Sequence, residues 1–258
     1  MRDLPPLPEP TRGPGSPGSL HTPVLQYHSR SRRPLAILTG LLAAGALAAG
    51  GLWIANENAD PHSITQTHLA GARSPIPVNV NLLLDFSGSF EQFEAIRRRA
   101  LEQILSWCEF NLRDDDTITV IAFTTDAVAM LQPTTIGNIK AQPRVLTDPA
   151  FRGGGTAISG ALALTASLAR PDHRQSLIVV TDTELGDISP DSAETAITKI
   201  GADTMTLILP TGQSITQQWA ESFPWEFVST ADNDDPDQTA LAIGYAIAHA
   251  TRQNLEKN

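Results

Sequence analysis

Five oxygen-bearing residues stand at places where an α/β domain gathers ligands. Asp85-Phe86-Ser87-Gly88-Ser89 offers one carboxylate and two hydroxyls from a tight turn, and Gly88 lets that turn close without a side-chain clash. Thr156 follows Gly153-Gly154-Gly155, and Asp182 follows the apolar run 176–181, SLIVVT. An all-oxygen set suits a hard divalent cation, which keeps bound waters and draws charge from carboxylates. Two aspartates and three hydroxyls make an incomplete octahedron, with a position left for a carboxylate from another molecule. No Cys or His belongs to the set, which disfavours zinc and copper. Mg2+ is the expected ion, with Mn2+ or Ca2+ as alternatives.

These residues need elements that bring them together. The run 78–84 is rich in Val and Leu and fits a strand buried on both faces. Phe93, Ile96, Leu101, Ile104, Leu105 and Cys108 fall at helical spacing within 90–112, with Glu and Arg mostly between them. The β-branched run 117–124 predicts a second strand, joined through Thr125-Asp126 to a short strand at 127–131. Residues 132–152 are irregular, with a short helix near 136–141. A helix is expected at 156–169, a strand at 176–181, and a helix from Pro190, capped by Ser189, to Ile200. A strand at 204–209, a helix at 214–223, a short strand at 226–229 and a closing helix at 236–254 complete the domain. The alternation implies a doubly wound, mostly parallel sheet with one antiparallel edge strand and helices on both faces. In such sheets ligands sit beyond the C-terminal strand ends, where the strand order switches direction.

Asp85-x-Ser87-x-Ser89, then Thr156 after a glycine loop, then Asp182 at the end of a hydrophobic strand, resembles the von Willebrand factor type A (VWA) domain. Those positions match its metal-ion-dependent adhesion site, and the resemblance spans about 77–254. It implies that Ser87 and Ser89 bind the metal directly and that Thr156 does so directly or through water. Asp85 and Asp182 would act largely through water, and an acidic side chain of a protein ligand would fill the open position. One departure is Thr183, where many members carry glycine.

Other features point to blander roles. The triple glycine lacks the Lys-Ser/Thr pair of a phosphate-binding loop. Glu184 and Asp187 are expected to be solvated loop acids, and Asp232, Asp234, Asp235 and Asp237 a solvated linker and helix start. The single cysteine, Cys108, excludes an intrachain disulfide and is expected to be a buried thiol. None of the histidines has the partners of a zinc or catalytic site.

The chain ahead of the domain is unlike it. Residues 1–34 are Pro-rich, sum to +3 and predict a disordered tail. Residues 35–55, LAILTGLLAAGALAAGGLWIA, carry no charge and are long enough to span a bilayer as one helix. Arg30, Arg32 and Arg33 precede the segment, which predicts a cytoplasmic N-terminus and an extracytoplasmic domain. The segment serves either as a signal anchor or as a cleaved signal, since Ser31-Arg32-Arg33-Pro34-Leu35 resembles a twin-arginine export signal. Residues 56–76 read as a linker and 77–254 as the domain.

The full chain carries a net charge of −10, and residues 56–258 alone sum to −13, which argues against nucleic-acid binding. The expected function is divalent-cation-dependent protein binding of an adhesion type, without enzymatic activity. A metal-dependent hydrolase with Asp85 as nucleophile is disfavoured, because Ser87 stands where a second acid would be needed. A metal-independent structural subunit of a membrane complex is the other alternative.

Overall fold

The computed structural model describes residues 61–88, 93–142, 146–149, 154–182, 187–215, 217–232 and 234–258, together with the backbone of Gln26–Tyr27. The elements in chain order are β1 (Gln26–Tyr27), a single 3-10 turn (Ile64–Gln66), β2 (Thr67–Ala70), β3 (Val78–Asp85), α1 (Glu94–Asn111), β4 (Thr117–Phe123), β5 (Ala127–Thr135) and α2 (Ile136–Ala141). They continue with α3 (Ile158–Leu168), β6 (Arg174–Val180), α4 (Pro190–Ile200), β7 (Ala202–Pro210), α5 (Gln217–Ser222), β8 (Phe227–Ala231), α6 (Pro236–Thr251) and β9 (Asn254–Lys257).

The main sheet runs β8-β7-β6-β3-β4-β5, parallel throughout except for the antiparallel edge strand β5. The two residues of β1 add an antiparallel pairing on the outer edge of β8. β3 is followed in sequence by β4 on one side, while β6 returns to its other side. The strand order therefore switches direction at β3, and the C-terminal ends of β3 and β6 flank the crevice.

Apolar residues of alternating parity divide between two layers. Val78, Val80, Leu82 and Leu84 of β3 face a core shared with α1, α2 and α6. Leu83 faces the opposite core, built with α3, α4 and α5. Two positions in the strand are polar and fully buried: Asn79 and Asn81. Both donate to Gln175 Oε1, at 2.9 and 3.2 Å, so their amides are satisfied inside the sheet layer.

Local chemistry sets the helix limits. Ser189 Oγ accepts from Ser192 N at the start of α4, Pro190 occupies the first position, and Gly201 at φ 67° closes the far end. Asp235 caps α6 in the same way, with Pro236 following.

Several boundaries differ from expectation. β5 runs on to Thr135, because Ile118 pairs with Thr134 but Val120 pairs with Leu131, leaving Gln132 and Pro133 in a bulge. A bulged edge strand tolerates a proline that a central strand would not. The closing helix stops at Thr251, where Arg252 takes a left-handed φ of 61°. The chain then turns into β9, which pairs antiparallel with β2.

Residues 56–76 were expected to form a linker, yet 61–76 belong to the folded unit. Ile64 is fully buried between α1 and α6, Trp107 Nε1 donates to Thr67 O at 2.9 Å, and Leu69 N donates to Asn111 Oδ1 at 3.0 Å. Polar residues and prolines hide this strap from hydropathy, because it is held mainly by hydrogen bonds, the Arg73–Asp116 ion pair and two apolar side chains, Ile64 and Leu69. Cys108 is buried, as expected, and is in no disulfide. The expected membrane segment 35–55 lies outside the described residues, as does the tail except Gln26–Tyr27. Among the described residues no helix is long and apolar enough to cross a membrane.

Candidate metal centre

Asp85 is the last residue of β3 and is fully buried. Its Oδ1 accepts from Ser87 N at 2.7 Å, and its Oδ2 accepts from the Thr181 hydroxyl at 2.6 Å. Burial pushes this carboxyl above the usual carboxylate range, bonds from Thr181 and Ser87 pull it back, and the negative charge of Asp182 adds to the rise. With Thr181 and both the backbone and the hydroxyl of Ser87 donating to it, the carboxylate keeps about one of its four lone pairs for water or metal. Ser87, at 1% exposure, closes the turn over Asp85 with both its backbone and its hydroxyl.

Backbone bonds lace the surrounding loops together. Phe86 N donates to Phe123 O at 2.8 Å, carrying the ladder with β4 one residue past the strand. Gly88 N donates to Gly154 O at 3.1 Å, which joins the Asp85 turn to the glycine loop. Gly154 has a φ of +98°, a conformation that L side chains rarely adopt. Two residues later Thr156 is almost buried, and Ala157 N donates to Thr124 O at 2.7 Å. Asp182, also nearly buried, follows Thr181 directly. The fold thus gathers Asp85, Ser87, Asp182 and the loop of Thr156 at one end of the sheet. Ser89, Thr183 and Glu184 lie outside the described residues.

Three residues were not singled out from sequence. Thr181 was read only as the end of a strand, yet it anchors Asp85. Asp187 is exposed, as expected of a loop acid, but it also has a structural role. Its Oδ1 accepts from Ile158 N at 3.0 Å and its Oδ2 from Ser159 N at 3.0 Å, so it caps α3 from another loop. The signal was present: α3 begins at Ala157-Ile158, with no Ser, Thr, Asp or Asn of its own to cap it.

Arg97 is the third. It was placed among the charges between apolar helix positions, but it is 3% exposed, and its guanidinium carbon lies 5.0 Å from the centre of the Phe86 ring. Burial pushes its guanidinium down to about 10, against the favourable charges of Asp85, Glu94 and Asp182. Arg98 approaches the same ring at 5.9 Å and pairs with Glu94 and Asp148.

The donor set fits a hard divalent ion. It supplies hydroxyls and carboxylates only, and Asp85 is oriented by protein hydrogen bonds on both oxygens, as an outer-sphere ligand acting through water would be. Among the described residues there is no group of three or more His, Cys, Asp or Glu side chains that could hold a metal. A site built from the described residues therefore relies on Ser and Thr oxygens beside two aspartates.

No protein-family model and no curated protein matches the chain. Among solved structures it is similar to proximal thread matrix protein 1 of the mussel byssus with a zinc-occupied MIDAS motif. That match has a TM-score of 0.52 and 15% identity, and covers 69% of this chain and 48% of the mussel chain. BatB from Bacteroides thetaiotaomicron matches at TM-score 0.49 and 19% identity, over 68% of this chain and 99% of that one. A von Willebrand factor type A protein from Catenulispora acidiphila matches at TM-score 0.47 and 18% identity, over 71% and 46% of the two chains. Likeness at this identity speaks to architecture alone, and the shared architecture is a mixed, mostly parallel sheet between two helical layers.

Proposed function

We propose that the domain binds a partner protein through a divalent cation held by Asp85, Ser87, Ser89, Thr156 and Asp182. The observation that carries this reading is the gathering of three separate chain segments at the β3–β6 crevice, tied by Thr181 to Asp85 and by Gly88 to Gly154. The cation would polarise and hold a carboxylate oxygen of the partner at the position that the protein leaves open. The mussel protein's zinc-occupied motif supports testing Zn2+ beside Mg2+ and Mn2+.

A binding role suits Asp85 better than nucleophilic catalysis does. Both its oxygens are committed to hydrogen bonds, and its carboxyl is shifted toward the neutral form, which is the poorer nucleophile. We therefore read the chain as a non-enzymatic module. Calorimetry of the full chain with Mg2+, Mn2+ and Zn2+ tests the metal. Binding that Asp85→Ala abolishes supports the reading, and no binding, or binding indifferent to Asp85→Ala, overturns it.

We further propose that residues 35–55 hold the domain at a membrane, outside the cytoplasm. The strap belongs to the folded unit from Pro61 onward, with Ser63 Oγ bonded to Asp237, so residues 56–60 would be the slack between it and the anchor. At about 3.5 Å per residue they would keep the domain within about 20 Å of the bilayer. A crossing at 35–55 would also carry Gln26–Tyr27 to the side of the bilayer opposite β8. Anchoring and the β1–β8 pairing are thus exclusive. Hydrogen exchange at Val228, compared between detergent-free and membrane-inserted protein, reads which of them holds.

A further inference from the structure

We propose that the crevice end of the domain, where Asp85 and Asp182 sit, is turned toward the bilayer, and that the partner it fits is therefore a protein of the same membrane, offering an acidic side chain on a loop close to the surface. This rests on the metal and the anchoring readings above.

The strap runs the full height of the sheet, starting at the crevice end. β3, β6, β7 and β8 are parallel, so α6, which follows β8, begins at the end of the sheet where Asp85 and Asp182 lie. Asp237 is in the first turn of α6, and its Oδ1 accepts from Ser63 Oγ at 2.7 Å and from Gln103 Nε2 at 3.1 Å. From Ser63 the chain descends between α1 and α6. Ile64 lies against Gly244, Trp107 Nε1 reaches Thr67 O at 2.9 Å, and Leu69 N reaches the side chain of Asn111, the last residue of α1. Arg73 pairs with Asp116 just ahead of β4, and Val78 N donates to the same carboxylate at 2.9 Å as β3 opens at the opposite end. Everything ahead of Pro61 thus joins the domain at its crevice end.

Length then decides the pose. Residues 56–60 reach about 20 Å when extended, and the headgroup layer takes about 5 Å of that. From Asp237 to Thr251, α6 falls about 21 Å at about 1.5 Å per residue. Standing the opposite end on the bilayer would lift Ser63 by at least that much, and residues 64–70 already fill the way down. The tether is too short for that pose, so the crevice end is the end it draws to the membrane. A partner arriving from bulk solution would meet the helices or the opposite end. A loop rising from the same bilayer would meet the crevice.

The test uses the full chain in phosphatidylcholine vesicles that contain headgroup-labelled lipid as an energy acceptor. Asp126→Cys places a donor dye just beyond the crevice end of β4, and Asp115→Cys places one just before the other end of the same strand; both positions are exposed. Cys108 is buried, and wild type is the labelling control. An impermeant maleimide dye reads outward-facing domains only. Transfer is expected to be more efficient from position 126 than from position 115. Inserting about 20 Gly and Ser residues after residue 60 makes a slack tether and is expected to abolish the difference. A polymer-linked maleimide is expected to modify position 126 several-fold more slowly in vesicles than in micelles, with little change at position 115.

Equal transfer from the two positions, or more from 115, would overturn the proposal. So would a difference that survives the insertion, or a position 126 as open to the polymer in vesicles as in micelles. Flotation of carbonate-washed vesicles reads the anchor separately. A chain that does not float refutes the anchoring reading and this inference with it, whereas a floating chain with more transfer from 115 refutes the orientation alone. The dyes report without metal, so calorimetry of the metal site succeeds or fails independently of them.

Discussion

Thr181 reaches across from the end of β6 to donate its hydroxyl to Asp85 Oδ2, 2.6 Å away at the end of β3. The two strands are parallel neighbours, paired in register from Val78 and Arg174 up to Leu84 and Val180. One further residue on each strand therefore places a hydroxyl opposite a carboxylate. The bond turns a register relationship into a fixed ligand, with Asp182 one residue beyond it. Ser87 N holds the other oxygen of Asp85, so the acid has no rotational freedom.

Asp85→Asn should separate stability from metal binding. The asparagine Oδ1 can still accept from Ser87 N, while Nδ2 can donate to Thr181 Oγ1. Asp85 has a raised folded pKa, chiefly from burial. A group of that sign contributes stability that is present below its unfolded pKa and is lost as pH rises through the folded value. At neutral pH the ionised acid therefore costs stability that the amide does not. In EDTA at pH 7, Asp85→Asn is expected to melt at or above wild type, with the gap narrowing as pH falls. Mg2+ is expected to raise the melting temperature of wild type and leave the variant unmoved. Thermal melts at several pH values, with and without Mg2+, check both halves.

Asp187→Ala should disturb the Thr156 loop without touching a proposed ligand. Its carboxylate satisfies two backbone donors at the start of α3, and no residue of α3 replaces it. Loss of a cap of this kind costs about 1 kcal/mol. Because Ala157 is also bound to Thr124, the loosened helix start would free the glycine loop on one side only. The expected result is a small fall in stability and several-fold weaker Mn2+ binding. Chemical denaturation and calorimetry on the same preparation measure the two together.

What could be read from the sequence was what repeats or clusters locally. The strands ending at Asp85 and before Asp182 are long apolar runs, and α4 and α6 carry their own Ser189–Pro190 and Asp235–Pro236 starts. Thr181 was invisible because its partner comes from another segment, β3, and Asp187 showed only indirectly, as the missing cap of α3. Helical period does set Arg97 apart from the exposed Arg99: it stands four residues from both Phe93 and Leu101 and seven from Ile104, on the buried stripe of α1, and its charge masked that position. The strap was missed for a related reason. Of its residues only Ile64 and Thr67 are buried, and β9 (NLEK) has no apolar face to announce it.

His249 predicts a pH limb unconnected with the metal. It sits at the end of α6, edge-on to Phe227 at 4.0 Å, with Glu226 at 3.6 Å and Arg174 and Asp203 close by. Burial first, and the charge of Arg174 second, lower its pKa, and the approach of Glu226 does not reverse this. A depressed folded value means stability that is present above the unfolded pKa and lost as pH falls through the folded one. Glu226, raised by burial, contributes in the opposite sense. The imidazole's own limb begins as pH falls through its unfolded value of about 6.5, between pH 7 and pH 5. His249→Gln is expected to flatten the fall in melting temperature over that window, and equal slopes in the two proteins would refute the assignment.

Gly244 and Ile64 predict that the strap is part of the domain's stability. A Cβ on Gly244 would fall far inside contact distance of Ile64 Cδ1, and Ile64 is fully buried. Gly244→Ala should therefore destabilise by about 1–3 kcal/mol through overpacking, although alanine is the better helix former by about 1 kcal/mol. Ile64→Ala alone should cost about 2–5 kcal/mol as a buried large-to-small change. In the Ile64→Ala background the clash is gone and the helix preference remains, so Gly244→Ala should become neutral or stabilising. A double-mutant cycle by urea denaturation measures that reversal of sign. If Gly244→Ala costs the same with or without the isoleucine, residues 61–70 are not seated on α6 in solution.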